Sequence, residues 1–138
     1  MAGLRLGYAA ACPEIIRDLR KVKPTFDVNS IAVLFAEELF DNPAVIKTMI
    51  EDFNTGRNYL VAKLRREGID YRMGHANFLL ISCGERVDEV IEKMQRKNIL
   101  VSGGFKQEFL KEYIRVTVGN KAVMEIFWNN FIKIWKGR

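Results

Sequence analysis

Long hydrophobic runs are missing from this sequence: nothing in it approaches the ~18 to 20 apolar residues needed to span a bilayer. Arg5 also breaks the N-terminal stretch where a secretory signal needs unbroken apolarity. A cytoplasmic protein with no membrane partner is therefore expected. Cysteine is scarce, because Cys12 and Cys83 are the only 2 in the chain, too few for a metal site or a disulfide scaffold at this length. Reduced thiols and no metal are the expectation. With 3 Pro and 10 Gly, the chain is neither collagen-like nor of low complexity. Charge of one sign does not dominate: 22 basic residues are interleaved with 17 acidic ones, and the net +5 is nowhere gathered beyond short clusters such as 19–23 or Arg65-Arg66. No nucleic-acid partner is expected. What is present is ordinary globular material, 138 residues of which 49% are apolar, enough for one self-sufficient core.

The apolar spacing predicts the elements. Alternation over Gly3 to Ala11 reads as a strand, with Leu4, Leu6 and Tyr8 on one face and Arg5 between Gly3 and Gly7 on the other. Pro13 opens a short helix to Val22, and Pro24 ends it. Asn29 or Ser30 caps a second helix carrying Ile31, Leu34, Phe35 and Leu39 at helical spacing. After a turn at Asp41-Asn42-Pro43, a long helix is expected from Ala44 to about Glu67, interrupted near Gly56 and Arg57 and stopped by Gly68. The second half alternates. Strands are expected at Ile69 to Tyr71 and Asn77 to Ser82, a helix at Arg86 to Lys97, a short strand at Ile99 to Val101, and a strand at Tyr113 to Val118. Asn120 then caps a last helix to about Lys136. Its aromatic residues Phe127, Trp128, Phe131 and Trp135 are too many for one narrow stripe, so part of the set is expected to be buried.

Chemistry-bearing residues are few. Arg5 and Arg115 each fall mid-strand, opposite the apolar residues, where a guanidinium fork can hold a phosphate or carboxylate. The same placement also suits a solvated or cross-strand ion-pair residue. The one histidine, His75, lies in a loop beside Gly74 with no evident partner, so no catalytic residue is assigned. Gly103-Gly104 has neither the spacing nor the following Lys-Ser/Thr of a phosphate loop.

Four segments in order carry a resemblance: Ala2-Gly3-Leu4-Arg5-Leu6-Gly7-Tyr8; Val22-Lys23-Pro24-Thr25-Phe26-Asp27-Val28-Asn29-Ser30; Ala76-Asn77-Phe78-Leu79-Leu80; and Ile114-Arg115-Val116-Thr117-Val118-Gly119. Together they resemble the C-terminal part of the histidinol-phosphate aminotransferase group of fold-type-I, pyridoxal-phosphate-dependent enzymes. The first and last segments are the distinctive ones. The resemblance implies an α/β fold in which helices pack on a short, mostly antiparallel sheet. It implies that residues 1–28 are a remnant of the large cofactor-binding domain, its last strand and outgoing segment, that 29–67 are interdomain helices, and that 68–138 are the small C-terminal domain. It assigns Arg5 to the cofactor phosphate and Arg115 to the substrate's anionic end. It also implies an amino-acid or 2-oxo-acid substrate and a homo-oligomer.

Departures from the family pattern carry as much weight. The family's Schiff-base lysine lies upstream of the arginine matched by Arg5, at a position that would precede Met1. The aspartate facing the pyridinium nitrogen and most of the phosphate loop lie further upstream still. The expectation is a truncated piece of an aminotransferase, inactive alone and without stable pyridoxal phosphate. Ser102 stands where many members have a second substrate-binding arginine, which puts histidinol phosphate itself in doubt as substrate. The competing reading is a non-catalytic oligomerisation or interaction module.

Overall fold

The computed structural model describes residues 2–25 and 28–137. Phe26 and Asp27, in the second quoted segment, lie outside them. The chain divides into two compact units, Met1–Lys47 and Thr48–Arg138.

The first unit is helical. A single 3-10 turn over Ala2–Leu4 leads into Arg5, whose φ is 56°, and then into irregular chain up to Cys12. The strand expected over Gly3 to Ala11 is thus not formed. Alternation specifies a strand only where a neighbour accepts its backbone hydrogen bonds, and no strand of this unit is described beside it. Helix α1 (Pro13–Val22) starts on its proline and stops before Pro24, as the sequence predicts. Helix α2 (Ser30–Asp41) is capped by Asn29, whose Oδ1 accepts from the Ala32 amide at 2.8 Å. Asn29 also donates from Nδ2 to the Leu4 carbonyl at 3.2 Å, tying the opening turn to the start of α2.

Helix α3 (Pro43–Arg66) is continuous, with no interruption at Gly56. The glycine serves instead as a contact point, since an added Cβ there would lie 2.0 Å from the Gly119 carbonyl oxygen. The helix ends in a Schellman turn, in which Gly68 takes φ 66°, its amide donates to Arg65 and the Ile69 amide donates to Leu64.

The second unit holds one three-stranded antiparallel sheet ordered β1 (Tyr71–Met73), β2 (Phe78–Ser82), β3 (Tyr113–Thr117). The first strand starts two residues later than expected. Helix α4 (Val87–Gln95), after a 3-10 turn at Gly84–Arg86, and helix α5 (Lys121–Trp135), capped by Asn120, complete the unit. Helix α4 ends before Lys97 because Asn98 adopts φ 58° and closes a second Schellman turn, Ile99 to Met94 and Asn98 to Gln95. The expected Ile99 to Val101 strand is not formed: the turn takes up the Ile99 amide, and pairing with β3 is confined to the isolated bridge of Ser102 with Arg115.

One core fills this unit. Leu60 and Leu64 from α3, Leu79 and Ile81 from β2, Val90 and Met94 from α4, Ile114 and Val116 from β3, and Met124, Phe127, Trp128 and Phe131 from α5 are all buried. The last helix buries Phe127, Trp128 and Phe131 of its four aromatic residues, with the Phe127 and Phe131 rings stacked at a centroid distance of 5.4 Å and Trp128 tilted against Phe131. Its C-terminus is closed by Arg86, which donates to the Ile134 and Trp135 carbonyls at 2.9 Å each while Nε holds Glu89 at 2.8 Å. Among the described residues no helix is long and apolar enough to cross a membrane.

Candidate functional site

The sheet has a buried face and an open one, and the open face carries the chemistry. The period of two sends Leu79, Ile81, Ile114 and Val116 into the core, so Phe78, Leu80, Arg115 and Thr117 emerge on the other side. Register then fixes the neighbours: Arg115 lies opposite Leu80, and Leu80 opposite Arg72. On its other side Arg115 faces Ser102, through backbone bonds of 2.6 Å and 3.2 Å in the two directions. Arg72, Leu80, Arg115 and Ser102 therefore form one transverse row.

Arg115 is exposed, and its position on the open face agrees with the alternation of the strand. Its Cζ lies 5.6 Å from the centroid of the Phe78 ring, the diagonal neighbour on β2. Its Nη2 donates to Ser102 Oγ at 3.4 Å. Among the described residues it makes no ion pair, so its charge is met by a ring face and a hydroxyl. Arg72 is held in the same style, with Nε donating to the Tyr113 hydroxyl at 3.0 Å and Cζ 5.4 Å from that ring. Donating this hydrogen bond to Tyr113 raises the Arg72 pKa further, so it is a permanent cation. Phe78 and Arg72 were given no place at this face by sequence reading, and Ser102 was placed near the substrate only through the family resemblance. Their signal was the diagonal and direct pairing across strands, which needs the register.

Arg5 belongs to the first unit. It is exposed, sits at φ 56° in a turn rather than on a strand face, and has no ion pair among the described residues. The residues after it, Leu6, Gly7 and Tyr8, line an apolar groove of about 620 Å³ with Ala36, Leu39, Phe40 and Ile46. That groove offers no further donors for a phosphate. No buried side-chain nitrogen or oxygen among the described residues lacks a hydrogen-bond partner, so no orphaned polar cradle awaits a cofactor.

The remaining titratable residues have structural explanations. Cys83 is buried, and that burial pushes its thiol up to about 11, despite the nearby charge of Arg86. It is an inert thiol. Cys12 is exposed and free. His75 lies exposed in the β1–β2 loop. Among the described residues no three His, Cys, Asp or Glu side chains gather into a metal site.

The family model described as aminotransferase class I and II matches residues 1–131. The histidinol-phosphate aminotransferase of Moorella thermoacetica is 32% identical over 127 residues, covering 92% of this chain and 33% of the relative. That of Clostridium kluyveri is 31% identical over 136 residues, covering 98% of this chain and 38% of the relative. Among solved structures, a putative histidinol-phosphate aminotransferase from Erwinia carotovora atroseptica superposes with TM-score 0.83 at 20% identity, covering 99% of this chain and 39% of that one. The Sinorhizobium meliloti histidinol-phosphate aminotransferase, solved in complex with pyridoxal-5'-phosphate, gives TM-score 0.78 at 18% identity, over 99% of this chain and 38% of that one. The chain thus spans between a third and two fifths of the length of the relatives it matches, and these two structures share its α/β fold.

Proposed function

This chain belongs to the class I and II aminotransferases, and from that membership we propose that it is the C-terminal part of a pyridoxal-phosphate-dependent enzyme moving an amino group between an amino acid, or an amino-alcohol phosphate, and a 2-oxo acid. In this reading 1–28 belong to the large domain, 29–67 to the connecting helices and 68–138 to the small domain, in a cytoplasmic homo-oligomer. Arg115 grips the anionic end of the substrate and Arg5 contacts the cofactor phosphate. The observation that carries the reading is an arginine on the open face of the small sheet, its Cζ 5.6 Å from the Phe78 ring centroid and with no carboxylate partner among the described residues, inside a segment matched by the family model.

The residues of this chain do not make a complete site for the cofactor, because one exposed arginine beside an apolar groove supplies a single phosphate contact and no cradle. What the chain's own residues do is bind and orient: Arg115 offers a planar fork of N–H donors that fits a carboxylate in one orientation, and so fixes the direction from which the substrate's amino or oxo carbon is presented. A chain of these residues alone, a third of the relatives' length, does not transaminate.

The test is a chimaera in which the N-terminal two thirds of the Moorella thermoacetica relative precede this chain. Turnover of an amino acid with 2-oxoglutarate is expected, with kcat/KM lowered about 10²- to 10³-fold by Arg115→Gln, the loss expected for a charge-assisted bidentate contact. A folded, cofactor-loaded chimaera without turnover on any amino acid overturns the reading. The isolated chain, titrated with pyridoxal phosphate and reduced with borohydride, is expected to show no stoichiometrically labelled lysine.

A further inference from the structure

The fold gathers charge that the sequence disperses. Met1–Lys47 carries as many acidic as basic residues, so the net charge of +5 falls entirely within Thr48–Arg138. In that unit the C-terminal parts of α4 and α5 come together, and Lys93, Arg96 and Lys97 line a cleft of about 330 Å³ with Ile134 and Gly137. We propose that this cleft is a binding site for a linear polyphosphate group, either free or carried by a nucleotide. It shares no residue with the open sheet face that holds Arg115, and so stands independently of the reading of that arginine.

Cations in a last helical turn ordinarily answer the helix dipole and pair with carboxylates one turn back. That accounts for part of this group only. Lys93 shares Glu89 with Arg86, and Arg96 meets Glu92 through Nη2, so three cations divide two carboxylates. Lys97 lies past the helix end and makes no ion pair among the described residues, which leaves the cations in excess. The carbonyls that would repel an anion are already occupied. At the end of α4, Met94 accepts from Lys97 and Ile99 and Gln95 from Asn98, while Arg86 donates to the Ile134 and Trp135 carbonyls of α5. Ile134, 7% exposed, gives the cleft an apolar wall, and a low-dielectric wall focuses the field of the cations beside it. Positions 93, 96 and 97 are neighbours on the helix surface, at side-chain spacings of about 5 to 6 Å. A ligand with several negative charges in a row meets that spacing, whereas a lone carboxylate meets one cation of the set.

The test titrates the 138-residue chain with tripolyphosphate, ATP, inorganic phosphate and adenosine, without divalent cations, by calorimetry and amide NMR. The amide signals of Arg96, Lys97 and Gly137 are expected to move with tripolyphosphate and ATP and to stay in place with adenosine. Tripolyphosphate is expected to bind about tenfold more tightly than inorganic phosphate, through its additional charge-assisted contacts. Binding is expected to weaken as ionic strength rises from about 0.01 M to about 0.15 M, where the screening length falls from about 30 Å to about 8 Å. Lys97→Ala and Arg96→Gln, both at exposed positions, are each expected to weaken tripolyphosphate about two- to fivefold, and Lys97→Glu roughly tenfold. Lys106→Ala removes the same charge outside the cleft, and Arg115→Gln does so on the sheet face; both are expected to bind as the parent does. Equal affinity for ATP and tripolyphosphate assigns recognition to the phosphate chain, and tighter ATP assigns it to a nucleotide; either supports the site. A loss in Lys106→Ala equal to that in Lys97→Ala makes the binding an effect of net charge and overturns the proposal. A loss confined to Arg115→Gln puts the anion on the sheet face and overturns it as well, as does the absence of tripolyphosphate binding at low ionic strength.

Discussion

At the scale of single residues, the tightest constraint in the second unit is an absent side chain. Gly56 lies on the buried face of α3, where a Cβ would meet the Gly119 carbonyl oxygen at 2.0 Å and the Asn120 carbonyl carbon at 2.9 Å. Both obstacles are backbone, one in the α5 cap residue and one in the residue before it, and neither can rotate aside. Alanine at 56 gains about 1 kcal/mol of helix propensity, yet overpacking against backbone costs about 3 kcal/mol, so the clash wins. Gly56→Ala is expected to lower unfolding stability by about 2 kcal/mol in urea titration, at unchanged m-value. Gly74→Ala, where nothing lies within 4 Å of an added Cβ, is the control and is expected to be near neutral. A Gly56→Ala variant as stable as the parent would show that α3 does not approach the Gly119 turn this closely. The same residue shows the limit of sequence reading. A glycine at mid-helix signals a break or a close approach with equal force, and only the partner backbone decides between them.

Elements were legible where their signals were local. The caps Asn29 and Asn120, the start of α1 on Pro13 and the stop at Gly68 are fixed within a few residues of chain, and each appears where its residue type predicts it. The alternation of β3 likewise placed Arg115 on the open face. Lost were features set across the chain and one local stop. The strand over Gly3 to Ala11 had pattern without partners and the Arg115 pairing with Phe78 and Ser102 required strand register, while Asn98 ended α4 locally by taking a left-handed conformation that a helical period does not reveal. Helix α4 also carries an electrostatic cluster whose effect on stability has a definite sign. Arg86 and then Lys93 hydrogen-bond the Glu89 carboxylate and draw its pKa from 4.5 to about 2. A depressed carboxylate means that the unfolded chain binds the proton first, so the contribution of Glu89 is full above about 4.5 and is lost as pH falls toward about 2. Glu89→Gln is therefore expected to flatten the fall of Tm with pH across that window and to lower Tm at neutral pH, followed by circular dichroism melts. Parallel pH profiles for parent and variant would remove the cluster as a source of acid sensitivity.

Across the whole molecule, burial is distributed unequally. Every residue of the main core, from Leu60 to Ile134, belongs to Thr48–Arg138, whereas in the first unit Ala32 is the one described residue that is buried. The apolar residues of α2 illustrate the contrast, since Leu34 and Phe35 have helical spacing but remain 64% and 54% exposed. Hydrophobic spacing therefore located a face in α2 without showing what covers it, while in α5 the same spacing located a core. Cooperative unfolding follows buried apolar area, so it should reside in the second unit. A Thr48–Arg138 piece is expected to unfold in one cooperative urea transition, with Phe127, Trp128 and Phe131 reporting through fluorescence. A Met1–Lys47 piece is expected to show only the gradual loss of helical ellipticity typical of short isolated helices. Leu60 and Leu64 sit within the C-terminal turns of α3, which the larger piece keeps, so the core loses no buried side chain by the cut. A broad, non-cooperative transition in Thr48–Arg138 would mean that the first unit contributes stability its own exposed surface does not reveal.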